Sequence, residues 1–280
     1  MNFVRAYRLW LVLMTGSTYC AYAQLTVLPD AIPQRAFGSD IQNITVLFHN
    51  GGQEQFQADL RIRMFQASSA TAARLNESPW KKLYVLPGQT IVGSAEISFP
   101  KVRAETRFLI QWLESTNRVL GTTEVLVYPA NFLSQLKTLA GEEPLGVFDP
   151  GHQFKPLLKR FEVLHQDLAE EGTDKFHGKL AIIGPFESKK QMRGSLTDDI
   201  RALAKRGVAV VWLLPPAAEC VPVRPSFYTV RVGDGTVVVA QADLVLRLGE
   251  SPQAQLNLIH LAETALHPAL LDLPQTEASN

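Results

Sequence analysis

Residues 198–214, DDIRALAKRGVAVVWLL, contain the clearest structural pattern in the second half of the chain. Its first part places Ile200 and Leu203 at helical spacing and ends at Gly207, a residue type that commonly follows a helix. Its second part, residues 208–214, is an unbroken apolar run of the kind that forms a strand buried on both faces. A helix that leads into such a strand is typical of a parallel α/β sheet.

The segments around this stretch repeat the pattern. Short apolar runs at 145–148 and 180–183 are predicted to be further buried strands. Residues 227–240 alternate on both sides of a Gly-Asp-Gly turn, which predicts an antiparallel hairpin. A Ser-Pro pair opens a last predicted helix at 251–266. We therefore expect residues 144–280 to form a Rossmann-like α/β domain with a mostly parallel sheet.

The first half of the chain has a period of two. Apolar and polar residues alternate over 57–64 and 107–112, and further strand-like runs occur at 44–48, 91–99 and 122–128. Turn-forming residues separate these runs, which gives about seven short strands. Such a set predicts an antiparallel β-sandwich.

The predicted boundaries divide the chain into four segments. Residues 1–23 are a signal peptide and residues 24–129 are the sandwich. Pro129 ends the last strand of the sandwich, and apolar residues then recur at helical spacing. Residues 130–143 are therefore expected to be a linker helix, and residues 144–280 the α/β domain.

The signal peptide is predicted from its three parts. Two arginines precede the apolar run 9–14, and Ala21-Tyr22-Ala23 has the small-x-small form of a cleavage site. The run is too short to remain as a membrane-spanning anchor. The residues before Cys20 lack the pattern of a lipid attachment site. We expect cleavage before Gln24, which would make the protein periplasmic or extracellular.

Composition limits the partners. The 280 residues include 27 Lys+Arg and 27 Asp+Glu, so the formal net charge is zero. This balance argues against a dedicated nucleic-acid binder. No second apolar stretch reaches membrane length, so no transmembrane segment is predicted in the mature chain. The expected partner is a protein or a carbohydrate of the cell envelope.

Two short motifs of the first half carry a family resemblance. VLFHNGG at 46–52 resembles the first strand and the Asn-Gly turn of the CARDB-type bacterial immunoglobulin-like family, and LPGQT at 86–90 resembles a second turn of that family. The resemblance covers roughly residues 25–128. It implies an immunoglobulin-like sandwich and implies no activity. The simplest interpretation of these residues is turn formation.

The second half resembles the Rossmann-like domains of the class I glutamine amidotransferase-like superfamily. The resemblance rests on residues 198–214 and on VGDGTVVVAQADL at 232–244. Active members carry a Cys in a sharp turn between strand and helix, with a His and a Glu downstream. Here the matching strand ends in Ile-Gly-Pro-Phe at 183–186, and Cys220 lies in a Pro-rich loop one strand later. The departure implies a catalytically degenerate domain.

Asp149, His152 and Glu187 are the candidate catalytic residues. Each follows a predicted parallel strand, and ligands of such sheets bind outside the carboxyl ends of the strands. Two carboxylates and an imidazole could perform acid–base chemistry or hold a metal. Asp149-Pro150-Gly151 is also an ordinary turn, and the turn is the favoured interpretation of these residues. The six histidines form no HExxH motif and no cluster with Cys, so no metal or other cofactor is predicted.

The leading hypothesis is therefore a non-catalytic binding or assembly component of the bacterial envelope. Its motivation is a well-specified scaffold without a recognisable nucleophile motif. One alternative is a hydrolase acting on a carbohydrate, peptide or amide through the three candidate residues. Another alternative is an accessory module of a glycan-processing or secretion system.

Overall fold

The computed structural model describes residues 25–192, 194–215 and 227–268. The predicted signal peptide and Cys220 lie outside the described residues. Contacts between residues divide the chain into two compact units. The described part of the first unit consists of residues 25–34, 41–97 and 106–125, and that of the second of residues 35–40, 98–105 and all those from 126 onward.

Eight strands precede residue 129. They are β1 (Leu25–Leu28), β2 (Gln34–Phe37), β3 (Ile41–Asn50), β4 (Phe56–Ala67), β5 (Ala72–Val85), β6 (Thr90–Ser98), β7 (Thr106–Glu114) and β8 (Val119–Tyr128). One sheet has the order β1-β3-β6, and a second has the order β2-β8-β7-β4-β5. Strand β1 pairs antiparallel with β3, and β4 pairs antiparallel with both β5 and β7. The strands predicted from alternation are confirmed.

Aromatic rings from both sheets meet in the core of the first unit. The Phe48 ring of β3 lies 5.9 Å from the Trp80 ring of β5 and 5.7 Å from the Trp112 ring of β7. Trp112 also donates a hydrogen bond to the buried Thr123 hydroxyl at 2.9 Å, which satisfies its indole N–H. A Cβ atom at Gly93 of β6 would lie 2.8 Å from the Trp80 ring, so only glycine leaves room for this packing.

The two turns that resemble the CARDB-type family are bonded to each other. The buried Asn50 side chain donates to the carbonyl oxygens of Val85 and Glu54 and accepts from the Gly52 amide at 2.9 Å. The Gly88 amide donates to the Asn50 carbonyl at 2.8 Å. The turn interpretation of these residues is therefore confirmed, because their polar groups bond to the protein itself.

The second unit contains a six-stranded sheet of order β10-β9-β11-β12-β14-β13. Its strands are β9 (Leu145–Phe148), β10 (His165–Asp167), β11 (Leu180–Ile183), β12 (Ala209–Leu214), β13 (Phe227–Val232) and β14 (Gly235–Gln241). All neighbouring pairs are parallel except β13 with β14. The predicted α/β sheet, mostly parallel with an antiparallel hairpin at its edge, is confirmed.

Five α-helices of the described residues cover both faces of this sheet. They are α1 (Gln135–Ala140), α2 (Lys155–Arg160), α3 (Leu168–Glu171), α4 (Leu196–Lys205) and α5 (Pro252–Leu266). Leu136, Leu158 and Leu258, from α1, α2 and α5, are buried in one core cluster, and Leu168 and Ile200, from α3 and α4, are buried in the other. The continuous apolar strands supply side chains to both clusters, as expected for a sheet buried on both faces.

The predicted linker helix is short and belongs to the second unit. Residues 132–134 form a single 3-10 turn that leads into α1, and Leu133 and Leu136 are fully buried in the core of that unit. At the other end of the unit, the Ser251 hydroxyl accepts a hydrogen bond from the Ala254 amide and caps α5. None of the described helices is long and apolar enough to cross a membrane.

Candidate functional site

The loops after β9 and β11 leave the parallel sheet at the same edge. Phe148, the last residue of β9, lies opposite Ile183, the last residue of β11. The first of these loops carries Asp149 and His152, and the second carries Glu187. This is the carboxyl edge, where ligands of parallel α/β sheets bind.

Asp149 is fully engaged by the backbone of its own loop. Its side chain is 1% exposed. One carboxylate oxygen accepts from the amides of Phe154 and Lys155 at 2.8 and 2.9 Å, and the other accepts from the Gln153 amide at 3.2 Å. These amides lie just before and at the beginning of α2, where backbone N–H groups lack partners within the helix. Asp149 thus fixes the loop to the first turn of α2.

Glu187 and His152 are both exposed and are not bonded to Asp149. Glu187 accepts from the Gln153 side-chain amide at 2.8 Å, and its backbone amide donates to the Gln191 side chain at 2.7 Å. Gln153 therefore lies between the two carboxylates, because its backbone amide bonds to Asp149 and its side chain bonds to Glu187. Among the described residues, no hydrogen bond joins the His152 ring to either of them. The three candidates share an edge of the sheet without forming a catalytic constellation.

The turn after β11 is built for glycine. The Gly184 amide donates to the Phe148 carbonyl at 2.7 Å, and Gly184 has a φ of 103°. A Cβ atom there would lie 2.7 Å from the Leu213 carbonyl oxygen. Both the left-handed conformation and the close backbone contact exclude a larger residue. At this turn the chain therefore passes from strand to loop without a nucleophilic side chain.

An apolar groove of about 370 Å³ lies beside Glu187. Most of its lining is hydrocarbon, contributed by the loop after β11, by the first part of α2 and by the segment after β14. The apolar lining residues are Phe154, Leu157, Pro185, Phe186, Ala242, Val245, Leu246 and Leu248. Gln153 and Glu187 stand at one side, and Arg247 belongs to the segment after β14. A concave apolar surface with a few polar groups is the usual form of a ligand site.

The side of the groove formed by residues 242–249 was not predicted from the sequence. Ala242–Val245 form a 3-10 turn directly after β14, and Arg247 follows with a φ of 59°. Leu246 is 55% exposed, although it lies among apolar groove residues. The Arg247 guanidinium pairs with Glu250 at 2.9 Å. The sequence signal available here was a Leu-Arg pair between a predicted strand and a predicted helix.

A half-buried ion pair supports the same edge from β10. Lys155, in the first turn of α2, pairs with Asp167, the last residue of β10. The Asp167 carboxylate also accepts from the Ala169 amide at 2.9 Å and so caps α3. Burial raises the pKa of Asp167, but the hydrogen bonds from Lys155 and Ala169 outweigh burial, so this pKa lies below its ordinary value.

A smaller cavity of about 220 Å³ lies between α3 and α4. Its lining includes the ends of β9 and β11, together with the polar residues Thr173, Asp174 and Asp199. Within the described ranges, no three His, Cys, Asp or Glu side chains are grouped so that they could hold a metal ion. We treat the larger groove as the candidate site because most of its lining is apolar and Gln153 and Glu187 lie beside it.

No protein-family model matches the chain, and no curated protein matches it. One similar solved structure is an alkylpurine DNA glycosylase from Pseudomonas fluorescens bound to DNA, which is 12% identical over 38% of this chain and 31% of that one, with a TM-score of 0.30. A β-glucosidase from Listeria innocua in complex with gluconolactone is 12% identical over 37% of this chain and 16% of that one, with a TM-score of 0.27. The chain thus spans less than a third of the length of each of these two solved proteins. Structural similarities with TM-scores this low support no conclusion about the fold or the function of the chain.

Proposed function

We propose that the chain is a non-catalytic binding or assembly component of the bacterial envelope. In this proposal it is exported, and its two units are an immunoglobulin-like sandwich and a degenerate amidotransferase-like domain. The contacts of Phe48 with Trp80 and Trp112 support a sandwich, because they join side chains from two sheets. The glycine turn at Gly184 supports the degenerate interpretation.

The engagement of Asp149 carries the proposal. A general acid or base must present its carboxyl group to a substrate. The two Asp149 oxygens instead accept three backbone N–H groups, and the side chain is buried. A carboxylate held in this way supports the loop beside the groove and is closed to a substrate. Its structural role is sufficient to explain a buried Asp at this position.

The groove supplies the binding surface in this proposal. Its apolar lining favours a ligand with hydrocarbon surface, because burial of such surface contributes about 25 cal/mol per Å². Leu246 is exposed, so a ligand in the groove would bury much of its apolar surface. Glu187 and Arg247 then act as polar groups that orient the ligand.

Binding in the groove is tested with the fluorescent apolar anion 8-anilinonaphthalene-1-sulfonate. We expect the folded chain to enhance its fluorescence saturably, and Leu246→Arg to remove most of the enhancement. Leu164→Arg is the matched control, because Leu164 is 64% exposed and lies outside the groove lining. Equal loss in both variants, or no saturable binding by the parent chain, would contradict the groove as a binding site.

A further inference from the structure

A strip of positive charge lies on the exposed face of β4 and β5, in the first unit. Leu60, Ile62 and Met64 of β4 are buried, so the intervening Arg61 and Arg63 lie on the opposite face of the sheet. The strip consists of Arg61 and Arg63 from β4, Arg74, Lys82 and Tyr84 from β5, and the central Glu77.

Three guanidinium groups of this strip converge on one carboxylate. Arg61, Arg63 and Arg74 all pair with Glu77, whose side chain is only 6% exposed, and the Arg63 contact measures 2.7 Å. The hydrogen bond from Arg63 lowers the pKa of Glu77 and outweighs the opposite effect of burial. Glu77 is therefore ionised at neutral pH and neutralises only one of the three arginines.

The excess positive charge of the strip belongs to the three arginines. Asp59 lies opposite Lys82, so these two charges balance. Two positive charges of the three arginines remain without a carboxylate in this cluster. Each guanidinium has five N–H donors, and the observed contacts to Glu77 and to the Asn117 amide oxygen use few of them. The remaining donors can hold a further anion in the fork geometry that suits carboxylates.

An exposed aromatic ring completes the strip. Tyr84 is 55% exposed, and the Lys82 ammonium lies 5.5 Å from the centre of its ring. Tyr84 pairs with Gln57, four residues from Arg61 along β4, which corresponds to about 13 Å. An aromatic ring with this exposure, at this distance from a guanidinium cluster, suits a ligand that has both apolar ring faces and repeated negative charges.

We propose that this strip binds an acidic polysaccharide that carries carboxylate groups on its sugar units. The arginines hold successive carboxylates in the way that they hold Glu77, and Tyr84 stacks on a sugar ring. This site is in the other unit from the groove and is independent of it.

The test is calorimetric titration of the full chain with an oligomer of galacturonic acid at low salt. We expect saturable binding that weakens as salt rises, because ion pairs with a polyanion release counterions. Arg63→Gln and Arg74→Gln should each weaken binding by about fivefold. Arg74 is largely exposed and has a single observed ion pair, so its replacement leaves the fold intact even where loss of Arg63 does not.

Three further variants separate binding by the strip from general charge attraction. Arg107→Gln removes an arginine of the same sheet that pairs with Glu124 outside the strip, and it should leave the affinity unchanged. Tyr84→Ala should weaken binding by about fivefold while Tyr84→Phe retains it, because stacking needs the ring and not the hydroxyl. Absence of binding, equal weakening by Arg107→Gln, or equal affinity for polyglutamate or DNA would overturn the proposal.

Discussion

Replacement of Asp149 should destabilise the α/β unit strongly, because the carboxylate is the acceptor for three amides. Asp149→Ala leaves the amides of Gln153, Phe154 and Lys155 without this partner. Hydrogen bonds to a charged group contribute about 1.5–3 kcal/mol each, and loss of a helix cap alone costs up to about 2 kcal/mol. Water reaches the exposed part of the loop and recovers some of this loss. We therefore expect a net destabilisation of about 3 kcal/mol.

The assay is thermal unfolding followed by circular dichroism at 222 nm, which reports on helices. All five described α-helices belong to the second unit. For a unit of this size, 1 kcal/mol shifts the melting temperature by roughly 2–4 °C, so Asp149→Ala should lower it by about 9 °C. Asp149→Asn keeps one acceptor oxygen and should lower it by about half as much.

Glu187→Gln is the control for this prediction. Glu187 follows the neighbouring strand but is exposed, so its replacement should change stability by less than about 0.5 kcal/mol. Removal of a catalytic carboxylate commonly leaves stability unchanged or increases it. An Asp149→Ala variant as stable as the parent chain would refute the structural role on which the proposed function rests.

Three further predictions concern other parts of the chain. The pKa of Asp167 is lowered in the folded state. Its contribution to stability is therefore present above its unfolded pKa and disappears as pH falls through the folded pKa. Lys155→Met should reduce this acid dependence of the unfolding free energy in urea titrations at pH 3 to 7. Gly93→Ala should destabilise the first unit by about 1–3 kcal/mol and alter tryptophan fluorescence, because its Cβ would meet the Trp80 ring at 2.8 Å. Intact mass of the exported protein should give Gln24 as the first residue, whereas a retained signal peptide would contradict the predicted cleavage.

Hydrophobic periodicity predicted the strands whose faces are uniformly buried or uniformly exposed. Strands β9, β11 and β12 could be predicted because both of their faces are buried, which gives continuous apolar runs. Strands β4 and β7 could be predicted because one face of each is buried, which gives an alternating pattern. Strand β5 was missed for the converse reason. It is an edge strand, most of its residues are exposed, and Pro79 interrupts its pattern. Leu83 and Val85 are the two residues of this strand that are classed as buried, so the hydrophobic pattern that burial creates is short here.

Sequence reasoning found the edge of the candidate site but not its chemistry. Asp149 and Glu187 were expected at the carboxyl edge because they follow parallel strands, and they lie there. The commitment of Asp149 to backbone amides depends on how the loop folds back onto α2, which spacing does not encode. Residues 242–249 lie beside this edge because of tertiary packing, which the local sequence pattern does not show.

We propose that the carboxyl edge of the sheet binds a ligand and catalyses no reaction. The most direct measurement is turnover by the purified chain of p-nitrophenyl acetate, p-nitrophenyl glycosides and glutamine, compared with Glu187→Gln and His152→Ala. We expect no turnover above buffer and no difference among the three proteins. Turnover by the parent chain that either substitution abolishes, with the melting temperature unchanged, would contradict the claim and favour a hydrolase.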